Sequence, residues 1–370
     1  MKAVPALAAL LTVACTSPST PAPSASPATS ASTTAPATTA PATTAPATTP
    51  PVALPTSFGG ADVRWPVTRE TTPLPPALGA VVTVRIAGIS GGGTLAAGLT
   101  LPRIGGTAAN PRVLTPCGHP VTLSAADLRA VAPGSGGRLP KRPQDVLVLV
   151  DPGHGGPFQL GAKAPNGDFE KTRNLQIAFE VRTALAGRVG RVVLTRERDF
   201  EETIEFRTAL ADALRVDAAL SVHLNSSPDG PRPTPGTETF GSTADGLGRR
   251  FAGLVYEHVR GYVQTLPGPW VGDRDAGAKY RLSAKGRDYY GLLRQAHRPF
   301  VISESLYISS AHEASLVARP EVRAGLGRAM ADALVELTTG TAPGSGWVTP
   351  YQRPADPSTR DGHICVDPAR

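Results

Sequence analysis

The sequence predicts an α/β fold, a mostly parallel sheet flanked by helices, preceded by a small β-rich module and a disordered tether. Continuous apolar runs alternate with amphipathic helical segments over residues 144–340, the pattern of βα units and a largely parallel sheet. Short β-like runs punctuated by glycines occupy residues 58–143. Upstream, every residue from Thr16 to Pro50 is Ala, Pro, Ser or Thr. Such a tract has no large apolar side chain with which to offset its ordering entropy. The 38 prolines and 39 glycines of this 370-residue chain therefore divide between a biased segment and a globular part. About 310 residues remain for the latter, enough for one sizeable core and a small module.

In the module, Val81–Ile86, Arg112–Leu114 and Val121–Leu123 read as strands, with Ser90-Gly91-Gly92-Gly93 as a turn between them. His119 stands alone there and reads as structural. After Pro143, the run from Asp145 to Asp151 is apolar on both faces of a strand. A helix follows over 170–186, with Ile177, Ala178, Val181, Ala184 and Leu185 as its apolar stripe. Strands over 191–195, 218–222 and 299–303 alternate with helices over 204–215, 246–263 and 320–337. The stretch from Asp229 to Arg298 carries Trp270, Tyr280, Tyr289 and Tyr290. It reads either as a substrate wall or lid, or as a connecting segment with structural aromatics.

Met1-Lys2, an apolar run from Ala3 to Ala14 and then Cys15 describe a secretory signal too short to span a bilayer. Leu11 to Cys15 resembles a bacterial lipoprotein signal, which implies lipidation of Cys15 and a membrane reached through that anchor. Thr12 stands where Leu is commonest, and ordinary secretion is the alternative. Both place the protein outside the cytoplasm, in the cell envelope. The expected organisation is a signal over 1–15, a tether over 16–57, the β-rich module over 58–143, a catalytic domain over 144–340 and a tail over 341–370. The tether repeats Ala-Pro-Ala-Thr-Thr from Ala35 to Thr49 and reads as extended polyproline-like chain.

The net charge of +7 favours anionic surroundings, but no basic stripe is interleaved with aromatics, which argues against nucleic acid. With Cys15 assigned to the anchor, Cys117 and Cys365 remain. An oxidising compartment favours a disulfide between them. Free thiols, or a zinc site with His119 and His363, are the alternatives, although neither half has the usual ligand spacing.

Functional groups of such sheets gather at the carboxyl ends of strands. His154 lies there in Asp151-Pro152-Gly153-His154-Gly155-Gly156, His223 in Ser221-Val222-His223-Leu224-Asn225, and Glu304 in Ile302-Ser303-Glu304-Ser305; Glu170 opens the first helix. Two imidazoles and a carboxylate, His154, Glu170 and His223, form a recurrent catalytic zinc shell with one position left open. Glu304 then remains as general base and proton shuttle. Singly, each residue has a bland reading as a cap, a core histidine or an ion-pair partner. Their placement at successive strand ends is what joins them.

These motifs, with Glu170-Lys171, Asn174-Leu175, Leu194-Thr195-Arg196, Asp199, Arg207, Ser221 to Ser226 and Gly236-Thr237-Glu238, resemble the zinc-dependent N-acetylmuramoyl-L-alanine amidases of the Amidase_3 type. The resemblance covers roughly residues 144–338 of the sequence. It implies zinc (Zn2+) held by His154, Glu170 and His223, Glu304 as the catalytic carboxylate, and peptidoglycan as substrate. The bond cut would be the amide between N-acetylmuramic acid and the L-alanine of the stem peptide. Asn174 and Asn225 would support the ligands or position substrate, and Arg196 would make a structural ion pair with Asp199. Leu224, where the family usually has a small residue, is expected to narrow the pocket floor. A protein activator that displaces a lid over 229–298 is a further expectation. Two other readings stand beside this one: a catalytically weak wall-binding protein on an amidase fold, and a zinc peptidase cutting within the stem peptide.

Overall fold

A computed structural model describes residues 63–66, 77–243, 246–349 and 364–369. The signal, Cys15 and the tether lie outside these residues. The module forms a five-stranded antiparallel sheet from β1 (Gly79–Thr83), β2 (Thr100–Gly106), β3 (Pro111–Leu114), β4 (Pro120–Thr122) and β5 (Leu128–Val131), in the order β4-β3-β2-β1-β5. β2 escapes a pattern reading because Pro102 and the Gly105-Gly106 pair interrupt its apolar run. β1 stops at Thr83, so Val84 and Ile86, expected in the strand, are exposed.

The central sheet has six strands: β6 (Leu147–Pro152), β7 (Arg191–Leu194), β8 (Ala218–Asn225), β9 (Glu238–Phe240), β10 (Ala278–Lys279) and β11 (Phe300–Tyr307). Their order is β7-β6-β8-β11-β9-β10. The first four are mutually parallel, β9 runs antiparallel to β11, and β10 pairs parallel to β9. The expected largely parallel sheet is therefore present, with a two-strand margin of opposite direction. That margin comes from segments of three and two residues, too short to show an alternation of their own.

Alternation along each strand decides what each face receives. Val148, Val150, Leu220, Val222 and Leu224 point to one face, where α1 (Glu170–Leu185), α3 (Gly246–Val263) and α6 (Pro320–Thr339) build a closed apolar core. Leu147, Leu149, Ala219, Phe300 and Ile302 point to the other face. There they meet α2 (Ile204–Leu214), α4 (Gly291–Gln295) and the module, whose Val81, Leu101, Leu114 and Leu123 belong to the same apolar cluster. The module and the sheet thus share one core. α5 (Ala311–Val317) packs against β11, and its N-terminus is capped by Ser310, which accepts from the Glu313 amide. The apolar stripe of α1, at Ile177, Ala178, Val181 and Leu185, continues N-terminally into Asn174 and Glu170, which are buried on the same face. Among the described residues, no helix is long and apolar enough to cross a membrane.

The C-terminal strand Ile364–Asp367 pairs antiparallel with Val63–Pro66, and Cys365 is disulfide-bonded to Cys117. Asp367 accepts from the Cys117 amide at 2.8 Å, and Pro368 accepts from the Ala96 amide at 2.7 Å. The Thr115–His119 turn so held abuts the start of α2, where the Thr203 amide donates to Pro116 at 2.9 Å. A bridge between residues 248 positions apart restricts the unfolded chain over a long loop. Replacing both cysteines with alanine is expected to cost about 2–5 kcal/mol of unfolding free energy, read from urea melts under oxidising conditions.

Candidate active site

Strand alternation leaves polar residues where the second face runs beyond its cover. Asp151 follows Leu149 on that face of β6, Ser221 and His223 follow Ala219 on β8, and Glu304 follows Ile302 on β11. These groups border a cavity of about 250 Å³, together with His154, Glu202, Arg207, Ile204, Tyr290 and Leu292. Its floor is the carboxyl end of the parallel strands.

The loop after β6 carries the first imidazole. His154 adopts φ +62°, a left-handed conformation that non-glycine residues enter only when their surroundings impose it. Two buried arginines impose it. Arg207 donates to the carbonyls of Pro152 and His154 and pairs with Asp151. Arg196 donates to the carbonyls of Pro152, Gly153 and Lys171 at 2.9–3.1 Å. The ion pair expected between Arg196 and Asp199 gives way to these carbonyl bonds. Asp199 instead accepts from Lys171 Nζ at 2.6 Å and from the Gly156 amide at 2.9 Å. The physical reason is supply: three consecutive carbonyls turned inward need donors, and a guanidinium carries five.

His154, Glu170 and His223 are brought together. Glu170 Oε2 lies 3.1 Å from His154 Nε2 and Oε1 lies 3.0 Å from His223 Nδ1, with the two rings edge to face at 4.9 Å between centroids. Donors bound to one zinc ion at about 2.0–2.1 Å stand roughly 3.3 Å apart at the corners of a tetrahedron. The observed separations are close to that figure, and all three donor atoms lie within 4.8 Å of one another, so the set fits a metal ion. The glycines around it are required by space. A Cβ on Gly153 would sit 2.2 Å from the His223 ring, and one on Gly161 would sit 2.5 Å from Glu170 Oε2.

The charge state also suits a cation. Burial works to raise the Glu170 pKa, but the His154 and His223 charges and hydrogen bonds outweigh it and hold the carboxyl well below its ordinary range. Glu170 is fixed further by donations from the amides of Ala162 and Leu224 and from Asn174 Nδ2 at 2.9–3.2 Å. Burial lowers the His223 pKa, favouring the neutral ring a metal binds, and its bond to Glu170 offsets only part of that effect.

Glu304 stands directly opposite His223 in the β8–β11 register and opposite Glu238 in the β11–β9 register. Its Oε2 is buried without a hydrogen-bond partner. Burial raises its pKa well above the usual carboxylate range, and the charges of Glu170 and Glu238 add to the rise while Arg281 opposes it. A half-buried carboxylate with one unpartnered oxygen is thus held beside the three donors.

Asn174 also donates to the Gly153 carbonyl at 3.3 Å, so it ties the metal-facing carboxylate to the His154 loop. Asn225 donates to Glu238 Oε2 at 2.6 Å, and Lys279, fully buried, pairs with Glu238 and Asp275. Leu224 points into the opposite apolar core and does not narrow the pocket; neighbouring residues of a strand face opposite ways. Of Trp270, Tyr280, Tyr289 and Tyr290, Tyr290 lines the cavity, while Trp270 belongs to a short ribbon with Gly230–Arg232 and Tyr280 leans on Trp347. That stretch folds into β9, β10, α3 and α4 and is not one connecting loop. Burial pushes the His119 pKa down to about 4, keeping that ring neutral within the module.

A family model described as N-acetylmuramoyl-L-alanine amidase, Amidase_3, matches residues 148–336, just over half of the chain. The chain belongs to this family. An endolysin of Bacillus phage SPP1 is 31% identical over 200 residues, which cover 52% of the chain and 65% of that relative. The N-acetylmuramoyl-L-alanine amidase LytC of Bacillus subtilis (strain 168) is 28% identical over 168 residues, covering 45% of the chain and 30% of that protein. The chain thus spans less than two thirds of the length of either. Among solved structures, the N-acetylmuramoyl-L-alanine amidase AmiC2 of Nostoc punctiforme aligns with 52% of the chain and 96% of its own length, at 26% identity and a TM-score of 0.43.

Sequence reasoning gave no role to the polar network beneath this Amidase_3 site. Asp151 accepts from Thr195 Oγ1 and Ser221 Oγ at 2.9 and 2.6 Å, and Thr195 also bonds Glu202 at 2.8 Å. Nothing in the spacing of these residues marks Glu202, because its partners are Thr195, just past β7, and Arg207 on α2. Asp151 and Glu202 both pair with Arg207. Burial pushes Glu202 up to about 7, helped by the Asp151 charge and opposed by Arg207. The folded protein therefore holds this proton more tightly than the unfolded chain, whose glutamate titrates near its ordinary 4.5. The linked stabilisation is complete below that ordinary value and is lost as pH rises through about 7, on the order of 3 kcal/mol. Glu202→Gln is expected to flatten the decline in melting temperature across this interval; an unchanged profile would remove Glu202 as its source.

Proposed function

We propose that this protein is a zinc-dependent peptidoglycan hydrolase that cuts the amide joining the lactyl group of N-acetylmuramic acid to the L-alanine of the stem peptide. The single observation that carries the reading is the convergence of His154, Glu170 and His223 beside Glu304, which pairs with His223 in the β8–β11 register. Two imidazoles and a carboxylate that suit a metal stand beside a carboxylate whose Oε2 has no hydrogen-bond partner, which suits proton transfer. Family membership supports the choice of bond.

His154, Glu170 and His223 hold the ion, and Asn174 with the Leu224 amide orients the carboxylate ligand. When bound, zinc supplies a Lewis acid that polarises a carbonyl and lowers the pKa of water. Glu304 accepts the proton of the attacking water and returns it to the leaving nitrogen. Its desolvation suits that exchange, because a carboxylate of raised pKa holds the proton long enough to deliver it. Ile204, Leu292 and Ile302 exclude bulk water and offer apolar contact to the methyl groups on either side of the bond.

We also propose that Cys15 is the lipidated N-terminus of an envelope-anchored form, on the residues that precede it. Cys15→Ala is expected to move the full chain from the detergent-extracted membrane fraction to the medium when it is produced with its signal in a bacterial host. Retention in the membrane would refute the anchor.

Digestion of purified sacculi tests the reaction. The wild-type chain is expected to release stem peptides with a free L-alanine amine, identified by mass spectrometry, and to stop when a chelator is added. A new amine within the stem would assign a peptidase instead. Glu304→Gln is expected to retain about one zinc per chain while losing roughly 10²–10⁴-fold in rate. Undiminished hydrolysis by that variant would overturn the role given to Glu304.

A further inference from the structure

We propose that the Tyr290 hydroxyl is a further catalytic group, donating a hydrogen bond to the carbonyl oxygen of the scissile bond as that oxygen gains negative charge. The proposal rests on the hydrolytic reading of the site. Tyr290 lies on the wall of the same cavity of about 250 Å³ that holds His154, His223 and Glu304.

Its position is fixed from several sides. The ring packs on Phe240 at 4.8 Å between centroids and on Tyr289 at 5.3 Å. Phe240 pairs with Ile302 in the β9–β11 register, two residues from the pair of Glu238 with Glu304. Side chains two residues apart share a face of a strand, so the Tyr290 ring rests on the face from which Glu304 projects. Tyr290 is also the extended residue that caps the N-terminus of α4, which ties its backbone to a helix.

The hydroxyl has one committed bond. Its oxygen accepts from Arg281 Nη1 at 2.9 Å, and a guanidinium accepts nothing in return. The phenolic proton is therefore left to donate elsewhere. Arg281 is itself buried, with its guanidinium 4.9 Å from the centre of the Phe240 ring and 5.5 Å from that of Tyr290. A cation bonded to the phenol oxygen makes its O–H a stronger donor. Burial pushes the hydroxyl pKa above the ordinary phenol range, with Arg281 opposing and Glu304 adding, so the group keeps its proton.

The other side-chain donors on the cavity wall are engaged. Ser221 serves Asp151, Gln159 serves Glu201, and Arg207 serves Asp151 and the carbonyls of Pro152 and His154. The remaining wall, at Ile204, Leu292 and Ile302, is apolar. A carbonyl oxygen acquiring charge in this cavity finds in Tyr290 a preorganised donor, the arrangement through which oxyanion stabilisation acts. In the step, the water oxygen bonds to the carbonyl carbon and the C–N bond breaks. Glu304 carries the water proton to the leaving nitrogen, and Tyr290 keeps its own proton while the bond it donates shortens. Water is consumed, and a carboxylic acid and an amine are released.

Tyr290→Phe removes the hydroxyl and keeps the ring packed on Phe240. With the zinc-loaded full chain and solubilised peptidoglycan fragments, kcat is expected to fall roughly 10²-fold while KM stays within about twofold. A phosphinate isostere of the muramoyl–alanine amide is expected to bind more weakly by a similar factor, with affinity for the released stem peptide unchanged. Thermal unfolding reports whether the variant keeps its fold. Wild-type kcat and phosphinate affinity in a folded Tyr290→Phe variant would overturn the proposal, as would a loss confined to KM. If the wild-type chain releases no stem peptide, the amidase reading fails first; if it does and the variant matches it, only the role of Tyr290 fails.

Discussion

Three successive carbonyl groups, those of Pro152, Gly153 and His154, hang on two buried guanidinium groups. The rest of the site depends on this arrangement. It holds His154 in a left-handed conformation, and it closes the loop that Asn174 bonds from α1. It also requires Asp151 and Glu202 as counter-charges, which in turn recruit Thr195 and Ser221 from neighbouring strands. A lysine at either position could serve one or two carbonyls but could not span several in a plane. The network borders the cavity of His154 and His223 and sets where the first imidazole can be.

Much of the fold was legible because the chemistry and the periodicity agree. The apolar runs at 147–152, 218–225 and 300–307 are strands, and the residues that end them, not those that begin them, carry the functional groups. Residue type and placement pointed to His154, Glu170 and His223, and the structure brings these three together. The short margin strands β9 and β10 were not legible, since two or three residues carry no period. Sequence neighbourhood offers Asp199 as the partner of Arg196. The actual partners are backbone carbonyls, which no residue type advertises. The sequence marks Tyr290 only as an aromatic, because the bond that fixes its hydroxyl comes from Arg281 across the turn between β10 and α4.

Charge is distributed unevenly over the two parts that share the core. Residues 77–143 contain seven Lys or Arg against one Asp, which accounts for nearly all of the chain's excess of +7. The end of the sheet beside the cavity is instead rich in carboxylates, with Glu170, Glu238, Asp273, Asp275 and Glu304 balanced by Lys279 and Arg281. Such an environment suits a divalent cation, and the buried Lys279 and Arg281 keep the carboxylates tolerable at close range. The positive surface that composition alone assigned to the whole molecule belongs to the module.

The clamp between Cys117 and Cys365 orders events in time. The turn that steadies the start of α2, and through it Ile204, Glu202 and Arg207, has its covalent partner 248 residues later in the chain. Contacts of such separation form after local ones, because the intervening chain must first be gathered. They also need an oxidant that reducing compartments withhold. The start of α2 is therefore tied to a strand about 160 residues further along the chain through a covalent link that forms only in oxidising surroundings, so redox conditions reach the cleft wall through sequence-distant contacts.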